Sequence, residues 1–198
     1  MFEDDLKIAQ TTLRGLPSHV DKAQTKAINA ATRKALTLAV NDIKSQVNLK
    51  SAYIRSKLKI SQKATIKKPE GILSAESRGV LLDRFDGQQV VTRSKNIKRS
   101  KGDRFRGISA GYKSKGVTVK VKAKGATKFL KGFYIPLKNN TGVNNMGIAV
   151  RTGRDKNDYK VLYGPSVGQT FQTVRKDISP MARELLITEL LNELELIS

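Results

Sequence analysis

Three sets of residues in this chain have the types and spacing that chemistry requires. Asp83 with Asp86, and Asp155 with Asp158, could hold Mg²⁺ as a nuclease does. The stretch Gly111-Tyr112-Lys113-Ser114-Lys115-Gly116-Val117-Thr118 has the two-glycine spacing of a phosphate-binding loop. His19 is the only histidine. Each set also has a plainer reading. Both Asp pairs fall at expected strand ends beside glycine, where Asp serves turns. No second carboxylate and lysine stand nearby at nuclease-like spacing. Val117 stands where a phosphate loop needs lysine, and a strand pattern follows instead of a helix. His19 sits where a helix is expected to start, a surface or capping position. No residue is assigned to catalysis. The expectation is a protein that is not an enzyme and uses no cofactor or metal.

Composition closes further classes. There is no cysteine, which removes disulfide scaffolds, thiolate zinc sites, iron–sulfur clusters and thiol nucleophiles. One histidine cannot make a multi-histidine metal site. No run of about 20 apolar residues is present, so no membrane span is expected. The acidic start, Met1-Phe2-Glu3-Asp4-Asp5, lacks the basic-then-apolar pattern of a secretory signal. Synthesis in the cytoplasm is therefore expected. The 198 residues carry 38 Lys and Arg against 17 Asp and Glu, a net charge of +21. Such a charge repels itself and calls for an anionic partner or an acidic neighbour.

The elements that would position these groups can be read along the chain. Leu6, Ala9 and Leu13 suggest a short helical stripe, which Pro17 interrupts. Ser18 to Asp21 then fits a helix start. From there to about Val47 neither Gly nor Pro occurs. Ile28, Ala31, Ala35, Ala39, Ile43 and Val47 recur at steps of three or four, which predicts one long helix. Ser51 caps a short second helix. Leu58 to Ile66 alternates as a strand, and Ile72 to Phe85 reads as one or two more. Val117 to Val121, Phe129 to Leu137, Met146 to Arg151 and Tyr159 to Tyr163 add further strands. A turn is expected over Asn139 to Asn145.

Between these strands the chain changes character. Residues 92–131 hold 14 Lys and Arg and one Asp. Arg93, Lys95, Lys98, Arg99, Lys101, Arg104, Arg106, Lys113 and Lys115 are candidate contacts for nucleic acid or an acidic partner. Few apolar residues anchor 87–116, so a long basic loop or arm is expected there. The segment from Arg93 to Lys131 is expected to be at least partly disordered in the free subunit and to become ordered in the assembly. Phe105, Tyr112, Phe129, Phe133 and Tyr134 are interspersed and could stack on bases.

The end of the chain is acidic and leucine-rich. Ser179 can cap a helix with Pro180 in its first position. Ile187, Leu190, Leu191, Leu194 and Ile197 form an apolar stripe, expected to be buried on the sheet and available as a subunit contact. Tyr163, Gly164, Pro165 and Ser166 form a structural turn that ends the sheet region. Gly164 is expected to tolerate substitution less well than Gly102 in the basic stretch. The order helix, antiparallel strands, helix predicts an α+β fold. Its long N-terminal helix and C-terminal helix would pack on an antiparallel sheet. Residues 1–198 read as a single domain, with 87–116 as a basic loop or insertion.

Two stretches carry a resemblance. One is Gly147-Ile148-Ala149-Val150-Arg151-Thr152-Gly153, followed by Leu162-Tyr163-Gly164-Pro165-Ser166-Val167. The other is Leu16-Pro17 and the helix Ala27 to Val40, running into Tyr53-Ile54-Arg55 and Leu58-Lys59-Ile60. In this order they resemble the minor tail protein Z family of lambda-like phages and prophages, related to tail-completion proteins of long-tailed phages. The stretch 87–116 looks like a longer, more basic insertion. The resemblance implies a virion structural protein at the head-proximal end of the tail, where the DNA end enters. It also implies ring oligomers of the chain itself, often sixfold. Its partners would be the tail terminator, tail tube or connector proteins, with DNA in the tail lumen. Two rival readings rest on residues alone. One is a general nucleic-acid-binding protein, such as a ribosomal protein, using the basic arm. The other is a small Mg²⁺ nuclease.

Overall fold

The computed structural model describes residues 2–137, 145–155 and 157–196, with side chains from His19 onward apart from Arg99 and Phe105. The helices are α1 (Phe2–Gln46), α2 (Ser51–Lys57) and α3 (Val167–Glu195). The strands are β1 (Leu58–Gln62), β2 (Ile72–Ala75), β3 (Val80–Leu81), β4 (Gln88–Arg93), β5 (Tyr112–Val119), β6 (Lys128–Leu130), β7 (Phe133–Leu137), β8 (Asn145–Arg151), β9 (Tyr159–Val161) and β10 (Tyr163–Gly164). Every strand pair is antiparallel. The fold is α+β. The chain forms two compact units, one of residues 1–42, 55–76 and 171–198, the other of 43–54 and 77–170.

The first unit is built on α1. Ala23, Ala27, Ala31, Ala35 and Ala39 are all buried. A four-residue step keeps them on one side, and methyl side chains let neighbours approach the helix closely. The threonines do not interrupt it. Thr25 and Thr32 each donate their hydroxyl to the carbonyl four residues back, at 2.8 and 2.7 Å. The helix also runs through Pro17, where a break was expected, so Ser18 lies inside it rather than at its cap. Proline removes one rung of the ladder, and here the helix continues on both sides.

The β1–β2 hairpin pairs Leu58 with Ala75 and carries a bulge between Ile60 and Gln62. Asn29 of α1 ties down the chain beyond it. Its amide nitrogen donates to Ala64 O at 3.0 Å, and its oxygen accepts from Ala64 N at 2.9 Å. The α3 residues of this unit run antiparallel to α1. Lys34 pairs with Glu189, and Lys26 with Glu193 at 3.4 Å. Ile178, Ala182 and Leu186 share a groove with Ala31 and Ala35 of α1 and Ile72 of β2.

The second unit holds the sheets. Strand β3 pairs with β10, β5 lies between β4 and β6, and β8 lies between β7 and β9. Phe85, Val117, Val119, Ile148 and Val167 are buried there. The stretch 87–116, expected as a loop, instead contains most of the β4–β5 hairpin. Two short 3₁₀ turns, Ile97–Arg99 and Arg104–Arg106, lie in its connection. The expected turn at 139–144 lies outside the described residues.

The start of α3 also differs from expectation. The helix begins at Val167, well before Ser179 and Pro180. Ser166 caps it reciprocally: Ser166 Oγ accepts from Gln169 N, and Gln169 Oε1 accepts from Ser166 N, both at 2.9 Å. Pro180 therefore lies in the helix interior. Ser179 donates its hydroxyl to Arg175 O at 2.8 Å, in the turn next to the proline.

Candidate functional site

The basic candidates gather on the β4–β5 hairpin and its connection. Arg93 lies opposite Tyr112, and Thr92 opposite Lys113. Directly opposed residues share a face, so Arg93 and Tyr112 stand on one side of the ribbon and Lys113 on the other. The register shifts between Val90, which faces Gly116, and Val91, which faces Ser114. Lys115 is therefore the extra residue of a bulge. Gln89 stitches this bulge. Its amide nitrogen donates to Ser114 Oγ and Gly116 O, both at 2.8 Å. Gln89 Oε1 is buried without a partner among the described residues.

Backbone hydrogen bonds hold the connection in place. Asp103 N donates to Ile108 O at 2.7 Å, and Ile108 N returns to Asp103 O at 2.8 Å. Ser94 N reaches Gly111 O at 2.8 Å. Ile108 is buried. Gly102 adopts φ 71°, and a Cβ there would meet Ile108 O at 2.6 Å and Ala110 N at 2.7 Å. Gly102 is therefore a constrained position too, by its left-handed backbone and by the chain beside it. The hydrogen-bonded frame gives the basic side chains a defined base.

Exposure then separates the candidates. Arg93, Lys95, Lys98, Lys101, Arg104, Lys113 and Lys115 are exposed. Arg106 is partly committed elsewhere, with its Nε 3.2 Å from Asp103 Oδ2. The Arg99 side chain lies outside the description. Among the aromatic candidates, Tyr112 and Phe129 are 40% and 46% exposed. Tyr134 is buried and cannot stack on a base. Phe133 sits edge-to-face with Tyr159, centroids 6.2 Å apart, and the Arg151 guanidinium lies 4.9 Å from its centre.

The Tyr163–Ser166 turn is structural in a specific way. Gly164 pairs with Val80 in the β10–β3 ladder. A Cβ on it would fall 2.8 Å from Cζ of the buried Phe85. Ser166 is buried, and its capping partner Gln169 could have been read from the Ser-x-x-Gln spacing.

The apolar stripe of α3 is turned differently from expectation. Leu190 and Leu194 are half-buried. Ile187 and Leu191 are 60% and 57% exposed. Ile197 lies outside the described residues. The inward side carries Glu189 and Glu193, which the lysines of α1 hold.

The carboxylates have local partners: Asp83 bonds Tyr134, and Asp86 Oδ1 accepts from Gln88 Nε2 at 3.4 Å. Asp83 and Tyr134 converge over Gly87, whose missing Cβ would lie 2.9 and 2.7 Å from Asp83 Oδ1 and Tyr134 Oη. Burial, the hydrogen bond to Asp83 and the charges of Asp83 and Asp86 push the Tyr134 phenol well above its ordinary pKa. Asp158 Oδ2 accepts from Asp155 N at 3.3 Å. Among the described residues, no three His, Asp or Glu side chains converge as a metal site would need. No described helix is long and apolar enough to cross a membrane. The phosphate-loop-like stretch is strand β5 itself.

The family model described as Prophage minor tail protein Z (GPZ) matches residues 6–196. The chain belongs to this family. The match takes in residues of both units, the basic hairpin included. The family is one of structural proteins of the phage tail, so the chain is a phage tail protein by family. Neither the curated proteins nor the solved structures give a match.

Proposed function

We propose that this chain completes the phage tail at its head-proximal end and takes part in joining tail to head where DNA enters. It acts by assembly contacts and not by catalysis. Copies of the chain form a ring, and the ring meets the tail terminator, the tail tube or the connector. The exposed cations of the β4–β5 hairpin face DNA in the lumen or acidic protein beside it. The carrying observation is the match to the minor tail protein Z family over residues 6–196. The hairpin adds support, because seven exposed Lys and Arg on a hydrogen-bonded frame suit a polyanion or an acidic neighbour.

The test is genetic complementation in the parent phage. Particles lacking the chain should carry tails that fail to yield infectious, head-joined virions. Supplying the chain during assembly should restore them. Normal particle yield and infectivity without the chain would refute the proposal.

A further inference from the structure

Two exposed faces of this chain are opposite in charge and alike in having an apolar centre. The first lies on the outward side of α3. Ile187 and Leu191 are one turn apart and more than half exposed. Glu184, three residues before Ile187, and Glu195, four after Leu191, are exposed on the same side of the helix, with the exposed Arg183 at its flank. The second is one face of the β4–β5 ribbon. Val91, Arg93 and Tyr112 share that face through the pairs Val91–Ser114 and Arg93–Tyr112. All three are exposed, Val91 by 39% and Tyr112 by 40%.

We infer that the α3 face of one copy, with Glu184, Ile187 and Leu191, docks on the Val91–Arg93–Tyr112 face of a second copy. Charge selects the partner. The chain as a whole carries +21, so two copies repel unless an acidic surface meets a basic one. Of the four Glu in the last 20 residues, Glu189 and Glu193 are held inward by α1, which leaves Glu184 and Glu195 exposed beside one exposed Arg183, whereas the ribbon's exposed charges are cationic. Nucleic acid would satisfy Arg93 but would leave Ile187 and Leu191 in water. A second copy supplies both halves of the contact. Apolar burial at its centre provides affinity, and the opposed charges set orientation.

The two faces are different surfaces, so the contact is heterologous. Copies would add head to tail, closing into a ring where the rotation allows. The inference rests on the proposed ring only for its place in the tail.

Sedimentation of the full chain, with mass measured across concentration and salt, tests it. The wild type should assemble beyond a dimer, less so as salt rises. Ile187→Ser with Leu191→Ser should weaken assembly about tenfold or more, and so should Val91→Ser with Tyr112→Ser. Unfolding temperatures of both variants are measured alongside, and Val91→Thr with Tyr112→Thr, which keeps strand propensity, should weaken assembly as well. Mixing the two variants should give a heterodimer that grows no further, since only one intact contact remains. Glu184→Arg and Arg93→Glu should each weaken assembly, and the two together in one chain should restore it. A monomeric wild type would overturn the inference. So would variants that assemble like the wild type, no heterodimer on mixing, or an Arg93→Glu variant that changes DNA binding but not mass. A chain that assembles in this way yet is dispensable for virions would refute the tail proposal and leave this contact standing.

Discussion

The ring of Phe85 occupies the space where a side chain on Gly164 would stand. The missing Cβ would lie 2.8 Å from Phe85 Cζ and 3.1 Å from Cδ2. Phe85 is wholly buried, so the ring has no room to withdraw. Gly164→Ala should destabilise the protein by about 1–3 kcal/mol through overpacking. Phe85→Leu in the same chain should relieve part of that loss. The readout is a double-mutant cycle from denaturant unfolding, where the combined loss should fall short of the sum. Strict additivity would mean that the two residues do not press on each other. Gly102→Val is not a benign control, because its backbone is left-handed and closely flanked. Gly107 has nothing within 4 Å of its missing Cβ. Gly107→Ala should cost only about 1–2 kcal/mol for its φ of 68°.

Ser166 and Gln169 close the start of α3 on each other. Ser166→Ala should cost about 0.5–2 kcal/mol, toward the upper end because the site is buried. Gln169→Ala removes the other half of the box and should cost less. Unfolding measurements on both variants check the order. A neutral Ser166→Ala would show that the cap contributes nothing to α3.

Tyr134 makes stability depend on alkaline pH. Its pKa is raised in the folded protein by burial first and by Asp83 second. Below about pH 10 the phenol is protonated in both states and contributes no slope. Above that, the unfolded chain loses this proton while the folded one keeps it. The unfolded state then binds fewer protons, so stability falls as pH rises. Tyr134→Phe should flatten this fall above about pH 10, where an ordinary tyrosine ionises. Parallel curves for the variant and the wild type would contradict the assignment.

The hairpin's charge can be tested against DNA directly. Each phosphate neutralised contributes about −0.9 to the slope of log K against log salt. Lys95, Lys98, Lys101 and Arg104 are exposed in the connection. Replacing these four with Ser should flatten the slope by up to about 3–4 and weaken all sequences alike. Arg106 is left in place because it braces Asp103. An unchanged slope would show that these four side chains make no phosphate contact.

The α+β class and the alanine face of α1 were legible because small residues at a four-residue step have one economical arrangement. Pro17 and Pro180 misled, since each was read as a boundary and each lies inside a continuous helix. The β4–β5 hairpin was hidden for a different reason. Its connection is held by backbone bonds between Asp103 and Ile108, and its alternation is broken at the Lys115 bulge. Neither feature leaves an apolar pattern. The α3 stripe was only partly placed: Leu190 and Leu194 are half-buried, and Ile187 and Leu191 are exposed. The helix starts at Val167, so Val174, Ile178, Ala182 and Leu186 set the inward face and leave Ile187 and Leu191 outside it. The capping box at Ser166 is present as a Ser-x-x-Gln spacing, but the Ser179–Pro180 pair offers the same start signal inside the helix.

The most direct test of the central claim is the position of the chain in the virion. Electron cryo-microscopy of intact particles, with the chain carrying a small C-terminal tag, locates it. The proposal predicts a ring of density at the head-proximal end of the tail, beside the point where DNA enters. Density at the distal tip, along the tube, or in no part of the particle would contradict it.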